Sequence, residues 1–427
     1  MRGNNTIMNQ YASKPIQSTS SLCYLFIIGT IFSSDILWVK VFTNQLYKSV
    51  AQYIYVFIVF IIIFAYYRRN HFKTKVSWES GFFIFTVLML MSAFFITEDN
   101  INAYLFKIAM IIGGYYGAQL FSFEEFYHAF RRIMFILMLA AILLYVMKLT
   151  GVGYSALPED HISTGVEFST IGLANMYNNT FYRIPRATSI FWEPGVYAAY
   201  LNILLLLELF YHEKIDNQYV LLVLVSIALT TSTTGYIVLI LILIAYILTR
   251  HTDQLRGKIL IFILLAILIL VITVNETFLY QLTSKVTDNS ESFKNRWLSI
   301  AGNILVIKEA PLFGLGPTKS QIILESYIRS QGGVRSFNNL NTILGNYAMF
   351  GLLPFLYYVF HLIKFCFSLK SNLIVKILIL IATTFLLSST GYQYSPFFTL
   401  IFMFRLHDVV ENGNSVQNFN IPIIQEE

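Results

Sequence analysis

The feature that most limits the fold is a series of apolar segments, each long enough to cross a lipid bilayer. A hydrocarbon core of about 30 Å requires roughly 17 to 25 apolar residues in helical form, and such segments recur from Leu22 to Leu406. Hydrophobic residues make up 56% of the chain and charged residues only 12%, outside the usual range of soluble proteins. The sequence therefore predicts an all-α, polytopic membrane protein whose residues 1–427 form a single transmembrane domain.

The apolar segments predict about twelve transmembrane helices. Their expected ranges are Leu22–Val41, Ser49–Tyr67, Trp78–Thr97, Ile101–Phe121, Ile133–Thr150, Pro194–Phe210, Gln218–Thr231, Thr234–Thr249, Lys258–Val274, Asn341–Phe365, Leu373–Ser389 and Pro396–Leu406. The first twenty residues are polar, and no small-residue cleavage site follows the first apolar segment. We therefore expect that segment to be retained as a membrane helix.

Lysine and arginine in the short connections predict the orientation. With the helices placed as above, basic residues collect on one side, apart from Lys40 and Lys48. The residues on that side are Arg68, Arg69, Lys73, Lys75, Arg131, Arg132, Lys214, Arg250, Arg256, Lys364 and Lys370. Because basic loops stay in the cytoplasm, we expect both termini to be cytoplasmic. The net charge of +6 is then a consequence of topology and does not indicate nucleic-acid binding.

Two connections are much longer than the others and are expected to be external: about residues 151–193 and 275–340. Connections of this length usually carry function or are disordered. The second contains RWLSIAGNILVIKEAPLFGLG, in which apolar residues recur at helical spacing. They are Trp297, Ile300, Ile304 and Ile307. We expect an amphipathic helix at the outer surface that ends at Pro311 and the turn-forming Gly314 and Gly316; a packing helix with a glycine-rich turn is the alternative.

Glu193 and Pro194 stand where the first long connection meets the sixth predicted helix. Proline is favoured at the first helical position, and a carboxylate beside it can cap the helix. That interpretation does not account for Arg183 and Arg186. In the alternative interpretation, two arginines beside a carboxylate bind a phosphate group while a nearby acceptor loses a proton. Both interpretations remain open at this point.

Four motifs occur in a fixed order and carry a resemblance. They are RATSIFWEPG at Arg186–Gly195, LTTSTTG at Leu229–Gly235, RWLSIAGNILVIKEAPLFGLG at Arg296–Gly316 and NNLNTILGNYAMFGLL at Asn338–Leu353. Together they resemble the signature of the O-antigen ligase and O-antigen (Wzy-type) polymerase superfamily of bacterial polysaccharide assembly. The resemblance covers about residues 183–353, and the other helices agree with it only in number and hydropathy.

The resemblance implies a GT-C-like, metal-independent glycosyltransferase that needs no cofactor and works at the outer face of the bacterial cytoplasmic membrane. Its expected partners are undecaprenyl-diphosphate-linked oligosaccharides and membrane lipid, with a chain-length regulator and other export proteins as further candidates. The ligase branch commonly has a histidine just before the asparagine of the last motif, where this chain has Phe337. The comparison therefore favours a polymerase of O-antigen, capsule or exopolysaccharide repeat units.

The chemistry of such a transfer indicates which residues to expect at the site. The negative charge that develops on a departing diphosphate must be stabilised, and a guanidinium group can bind two phosphate oxygens at once. We expect Arg186 and Arg296 to act on the diphosphate and Glu193 to act as the base for the acceptor hydroxyl. Five further residues are expected to bind substrate: Arg183, Arg329, Arg335, Asn338 and His161. His161 is also the lesser alternative to Glu193 as the base, and no metal-binding cluster stands out in the external loops.

Two other classes of membrane protein remain as alternatives. A flippase for lipid-linked oligosaccharides, or a secondary transporter, would also have about twelve helices, but the sequence shows no internal repeat of the kind common in transporters. Asp35, Lys107 and Lys376 are the main ionisable residues inside predicted helices, and paired or snorkelling side chains account for them. A non-catalytic scaffold in an export complex is the other alternative, and the two long external loops argue against it.

Overall fold

The computed structural model describes residues 20–34, 36, 45–69, 77–151, 159–162, 166–171, 174–179, 185–211, 215–249, 291–332 and 339–404. These ranges are mostly helical. The helices are α1 (Ser21–Phe32), α2 (Gln45–Arg69), α3 (Trp78–Thr97), α4 (Ile101–Leu120), α5 (Phe123–Thr150), α6 (Pro194–Phe210), α7 (Asn217–Thr230), α8 (Thr233–Ile247), α9 (Glu291–Glu309), α10 (Pro317–Ser330), α11 (Thr342–Phe350), α12 (Leu352–Phe367), α13 (Leu373–Ser389) and α14 (Pro396–Met403). The strands are β1 (Glu159–Ile162), β2 (Val166–Ile171), β3 (Ala174–Asn179) and β4 (Arg186–Ser189).

Three helical segments among the described residues are long and apolar enough to cross a membrane: Ser49–Arg69 of α2, and the whole of α3 and of α5. Six shorter apolar helices accompany them, namely α1, α6, α7, α8, α12 and α13. These helices support a membrane protein, while the number of twelve spans and the orientation stay predictions. The predicted helix Lys258–Val274 lies outside the described residues.

The first long connection contains an antiparallel sheet, so the all-α prediction is wrong for this segment. Its four strands pair in chain order, β1-β2-β3-β4. In β3, Ala174 and Met176 are buried and pack against Leu144 of α5. The physical reason lies in a period-two alternation in the sequence: apolar and polar residues alternate through VEFS in β2, and Ala174 and Met176, two positions apart in β3, are both buried.

The predicted helix Asn341–Phe365 is also wrong as a single element, because the structure divides it at Gly351 into α11 and α12. Gly351 has φ 87° and ψ −176°, which a helix does not adopt. The main-chain N–H of Leu352 donates to the Leu312 carbonyl at 3.0 Å, and that of Leu315 donates to the Ala348 carbonyl at 3.0 Å. The loop after α9 therefore docks into the break, where a Cβ on residue 351 would overlap the Leu312 carbonyl oxygen.

Helix α6 contributes many side chains to the largest core cluster in the part of the chain that the structure describes, and it positions the site described below. Nearly every one of its side chains is buried, as expected for a helix that is apolar on all faces. Tyr200 packs against Phe191, just before the helix, and against Phe397 of α14, with ring centroids 4.5 Å and 4.4 Å apart. The start of α6 thereby lies beside the N-terminal end of α8, where a Cβ on Gly195 would be 3.8 Å from Ser232 Oγ, and the helix also contacts β4.

Candidate active site

Residues 231–234, Thr-Ser-Thr-Thr, are the two-residue link after α7 and the first two residues of α8, and we call them the 231–234 turn. Thr231 has φ 45°, a left-handed conformation that is unusual for a β-branched residue. The Ser232 hydroxyl caps α8 by accepting the Gly235 main-chain N–H at 3.2 Å. Backbone strain of this kind often marks functional positions. The turn is therefore a specific, well-defined structure between two apolar helices.

Arg186 contacts the 231–234 turn from the sheet. It begins β4, whose pairing with β3 matches Arg186 to Tyr177. Its Nε donates to Thr231 Oγ1 at 2.8 Å and to the Thr230 carbonyl at 3.2 Å, and its Nη2 donates to the Thr231 carbonyl at 3.3 Å. One edge of the guanidinium is thus fixed to the first residue of the turn.

Arg296 contacts the same turn from the second long connection. It lies in the second turn of α9, and its Nη1 donates to Thr234 Oγ1 at 3.1 Å. Its Nε is buried and has no hydrogen-bond partner among the described residues. Because a buried donor without a partner costs roughly 1 to 3 kcal/mol, this atom is suited to receive an acceptor oxygen from a ligand.

Glu193 occupies the N-cap position of α6, but its side chain makes no cap hydrogen bond with the helix. Its carboxylate instead lies beside Gly195, where a Cβ atom would be 3.6 Å from Glu193 Oε1 and 3.8 Å from Ser232 Oγ. The carboxylate and the Ser232 hydroxyl therefore flank the same small space. The interpretation of Glu193 as a side-chain cap is not supported by the structure, and its role as a base stays a prediction.

The three residues predicted to be catalytic thus surround one turn, although they come from separate parts of the chain. Arg186 binds its first residue, Arg296 binds its last, and Glu193 lies beside Ser232. The turn also leads into the N-terminus of α8, where the helix dipole favours negative charge. This arrangement can hold an anion between two guanidinium groups, next to a carboxylate that can take a proton.

Two buried asparagines that sequence reasoning missed connect α9 to the segment before α11. Asn303 Nδ2 donates to Asn339 Oδ1 at 3.0 Å, and Asn339 Nδ2 donates back to Asn303 Oδ1 at 2.8 Å. The Ser299 hydroxyl adds a third bond to Asn339 Oδ1 at 3.3 Å. Ser299 and Asn303 share a helix face with Arg296, so this network anchors the face of α9 that carries the arginine. In the sequence, the feature that could have indicated this network is the spacing of Ser299 and Asn303 as polar residues in a mostly apolar motif.

The apolar residues on which the prediction of α9 rested form a stripe beside the Arg296 face, and Ile300, four positions after Arg296, lies at the border of the two. The helix is found at Glu291–Glu309, and positive φ values at Gly314 and Gly316 confirm the turn after it. Trp297 and Ile304, however, are exposed, with 65% and 43% of their surface accessible. The side of α9 that packs on the protein is therefore mixed: its buried residues include Leu298, Ser299, Asn303 and Val306, and Trp297 and Ile304 lie outside it.

The remaining predicted residues do not all lie near the 231–234 turn. His161 is in β1, at the opposite edge of the sheet from Arg186, and strands about 4.8 Å apart place these two edges roughly 14 Å from each other. Arg329 pairs with Glu325 one turn earlier in α10, at 3.4 Å on the exposed surface. Three further residues, Arg183, Arg335 and Asn338, lie outside the described residues. Across the described ranges, no group of three or more His, Cys, Asp and Glu side chains is arranged to hold a metal ion.

Comparison with known families agrees with the resemblance seen in the motifs. Residues 218–359 match a family model described as O-antigen ligase. The match covers less than half of the chain; it includes the 231–234 turn, Arg296 and Asn339, and it begins after Arg186 and Glu193. No curated protein matches the chain significantly. The resemblance to the O-antigen ligase and polymerase superfamily is confirmed by this match, which supports an enzyme of the membrane glycosyltransferase type.

Proposed function

We propose that the chain is a repeat-unit polymerase of the O-antigen ligase and polymerase superfamily. It transfers a growing glycan from undecaprenyl diphosphate to the non-reducing end of another lipid-linked repeat unit at the outer face of the bacterial cytoplasmic membrane. The observation that carries this proposal is the convergence of Arg186 and Arg296 on the 231–234 turn, with Arg296 Nε buried and without a partner among the described residues. The match to a family model described as O-antigen ligase supports a lipid-linked glycan as the substrate, and a diphosphate on such a carrier fits a site for an anion beside apolar helices.

In the proposed reaction, the acceptor hydroxyl oxygen attacks the anomeric carbon of the donor sugar. The bond between that carbon and the diphosphate oxygen breaks, and undecaprenyl diphosphate leaves with the electron pair. Arg296 would donate to a diphosphate oxygen through Nε, while Arg186 holds the turn and adds its charge. Positive groups fixed before the reaction are effective because they require no reorganisation as the charge develops.

The acceptor hydroxyl must also lose a proton, and Glu193 is the proposed base. Its carboxylate is half-buried at the mouth of α6 and is not engaged in a cap hydrogen bond. It lies next to Ser232, in the turn that binds both arginines. The alternative acceptor of the proton is the departing diphosphate itself. In either case the two guanidinium groups supply the positive charge, so we expect transfer to proceed without added metal, including in the presence of a chelator.

Phe337 favours a polymerase over a ligase, because the ligase branch commonly has its histidine at this position. A glycan ladder distinguishes the proposed activities in cells that lack this chain. Loss of a polymerase leaves single repeat units at the surface, whereas loss of a ligase leaves long glycans attached to the lipid carrier. Loss of a flippase would remove all surface glycan. Long surface chains of normal length in the deletion strain would contradict the proposal.

A transfer assay with the purified full chain tests the reaction directly. The substrate is the lipid-linked repeat unit extracted from cells that lack this chain, and the readout is the appearance of dimers and longer oligomers. The same assay is repeated with a chelator, and transfer should continue in its presence. A chain-length regulator and other export proteins are proposed partners in the cell, and their addition should change the length distribution more than the rate of the first transfer.

A further inference from the structure

Lys107 is a buried lysine in the second turn of α4, and only 3% of its surface is accessible. Its Nζ donates to the main-chain carbonyl of Gln393 at 2.9 Å. The aromatic rings of Phe350 and Tyr358 lie 5.3 Å and 6.0 Å from the same nitrogen. Among the described residues it forms no ion pair. A buried ammonium inside an apolar helix is costly, and such residues are usually retained for a function.

The group that Lys107 binds, Gln393, lies in the connection between α13 and α14 and joins it to the segment before α11. Its side-chain Nε2 donates to the Asn339 carbonyl at 3.2 Å and to the Asn341 carbonyl at 2.8 Å. The two segments are packed very closely, because a Cβ on Gly391 would overlap the Asn339 carbonyl oxygen. The Gln393 side chain therefore holds the main chain at Asn339 and Asn341 in place.

From Asn339 the contacts continue to α9. The Asn339 side chain exchanges two hydrogen bonds with Asn303 and accepts one from Ser299. Ser299 lies one helical turn after Arg296, on the same face of α9. Every link in this series is a described hydrogen bond between buried groups, from the Lys107 ammonium to the helix that carries Arg296.

We propose that Lys107 is a positioning residue for glycan transfer: through Gln393 and Asn339 it sets the position of α9, and with it the guanidinium of Arg296 at the 231–234 turn. This inference rests on the proposed function of Arg296 as the group that binds the departing diphosphate. The positive charge suits the role because a charged donor holds a main-chain carbonyl more strongly than a neutral one. The flanking aromatic rings stabilise the ammonium without competing for the carbonyl.

The test compares Lys107→Met with Lys376→Met in the purified full chain. Lys376 is a partly exposed lysine of another apolar helix, α13, so its replacement controls for the loss of a lysine from a membrane helix. The substrate is the extracted lipid-linked repeat unit. Lys107→Met is expected to lower kcat about tenfold to a hundredfold, since a displacement of about 1 Å can cost that much. Lys107→Arg, which keeps a charged donor, should recover part of the rate, and Lys376→Met should match the parent.

Combination with Arg296→Lys separates positioning from general destabilisation. If Lys107 acts through Arg296, Lys107→Met should lower kcat much less in the Arg296→Lys chain than in the parent, because coupled residues are non-additive. Equal fold losses in the two backgrounds would overturn the inference, and so would a normal kcat for Lys107→Met. A normal kcat for Arg296→Lys would instead contradict the proposed function of Arg296.

The thermal midpoint of each variant completes the test. Positioning predicts a midpoint close to that of the parent at a reduced kcat, whereas a merely structural role predicts a loss of kcat that follows the loss of folded protein. If Lys107→Met does not accumulate, Gln393→Met carries the same comparison, because it removes the bonds to Asn339 and Asn341 and leaves the lysine in place. Additivity of Gln393→Met with Arg296→Lys would then overturn the inference.

Discussion

Arg186 binds Thr231 with two different donors: Nε lies 2.8 Å from the threonine hydroxyl oxygen, and Nη2 lies 3.3 Å from its carbonyl oxygen. The two residues are 45 positions apart and belong to different elements, β4 and the turn after α7. The contact therefore ties the first long connection to the turn that Arg296 reaches from the second. A single guanidinium edge can make both bonds because its donors are planar and fixed relative to each other.

Arg186→Lys is expected to lower the transfer rate about tenfold to a hundredfold. A lysine keeps the charge but cannot donate from two fixed nitrogen atoms, and a charged hydrogen bond contributes roughly 1.5 to 3 kcal/mol. The rate is measured on the purified chain at equal protein amounts. Arg132→Lys is the matched control, because Arg132 bonds to the Tyr24 hydroxyl at the exposed surface. Equal rates in the parent and Arg186→Lys would show that the fork geometry is not needed.

Arg296→Lys should cause a similar loss, for a different reason. It removes the buried Nε donor proposed to bind the diphosphate, and we again expect about tenfold to a hundredfold in rate. Thr234→Val, which removes only the acceptor of the Nη1 bond, should cost less than about tenfold, because a single hydrogen bond contributes roughly 0.5 to 1.5 kcal/mol. Thr234→Ser keeps the hydroxyl and is the control. If Arg296→Lys were the mildest of the three, the proposed phosphate contact would be wrong.

Glu193→Gln distinguishes a base from a group with only a structural role. Glutamine retains the length and a hydrogen-bond acceptor but cannot take the proton, so the rate should fall by roughly 10²- to 10⁴-fold at normal protein abundance. Glu193→Asp keeps the carboxylate, one methylene shorter, and should be partly active. The readout is the glycan ladder in cells together with the purified transfer assay. Full-length glycan from Glu193→Gln would remove Glu193 from the mechanism and leave the departing diphosphate as the proton acceptor.

Asp99 gives a prediction about stability and pH. It lies between α3 and α4, and its Oδ2 accepts the main-chain N–H groups of Thr318 and Lys319 at 2.8 Å and 3.3 Å, capping α10 from outside. Burial opposes ionisation of Asp99, but the hydrogen bonds from Thr318, Asn100 and Lys319 outweigh it and lower its pKa. Since the folded pKa is below the unfolded one, the contribution to stability is present above about pH 3.9 and is lost as the pH falls through the folded pKa.

We therefore expect Asp99→Asn to be less stable than the parent near neutral pH and the difference to shrink on acidification. The thermal midpoints of both proteins, measured in detergent between about pH 6 and pH 3, report this difference. Glu98→Gln controls for the loss of a neighbouring exposed carboxylate. A difference that grows as the pH falls would contradict the assigned direction of the pKa.

Gly351→Ala is expected to destabilise the fold by more than about 2 kcal/mol, since a φ of 87° with a ψ of −176° is essentially restricted to glycine and costs another residue roughly 1 to 3 kcal/mol. The Cβ would in addition overlap the Leu312 carbonyl. Gly81→Ala is the matched control, because a Cβ on Gly81, inside α3, would have nothing within 4 Å, and alanine is the better helix former. The thermal midpoint should fall for the first variant and stay level or rise for the second. Equal midpoints would mean that the break at Gly351 is not under this steric constraint.

Sequence patterns located several apolar helices well, because hydrophobic length and capping residues are local properties, but the predicted helix Leu22–Val41 is wrong at its end, since α1 stops at Phe32 and Ile36 pairs with Phe191 as a β-bridge. The predicted bounds Pro194–Phe210 and Leu373–Ser389 coincide with α6 and α13. The break at Gly351 was missed because it depends on a loop some forty residues earlier that docks into it. The sheet was missed because its alternating strands are short and lie among polar residues, where period-two patterns are weak.

The candidate site was only partly accessible from the sequence. The need for positive charge and for a base was enough to select Arg186, Arg296 and Glu193 from the sequence. The 231–234 turn, which joins them, carries no charge and was recognised only as part of the motif LTTSTTG. Asn339 and Gln393 were missed because their importance arises from contacts across 36 and 54 positions. Such pairings depend on how the helices pack, which no local pattern records.

The way the 231–234 turn is bound also has a consequence for biosynthesis. Arg186 is made before the turn, whereas Arg296 follows Thr234 by 62 residues. At about 5 to 20 residues per second, the ribosome needs roughly 3 to 12 seconds to cover that interval. During this time the nascent chain presents the turn with one arginine in place. A chain arrested within the interval should therefore be inactive, because it lacks Arg296 and also the later helices α12, α13 and α14.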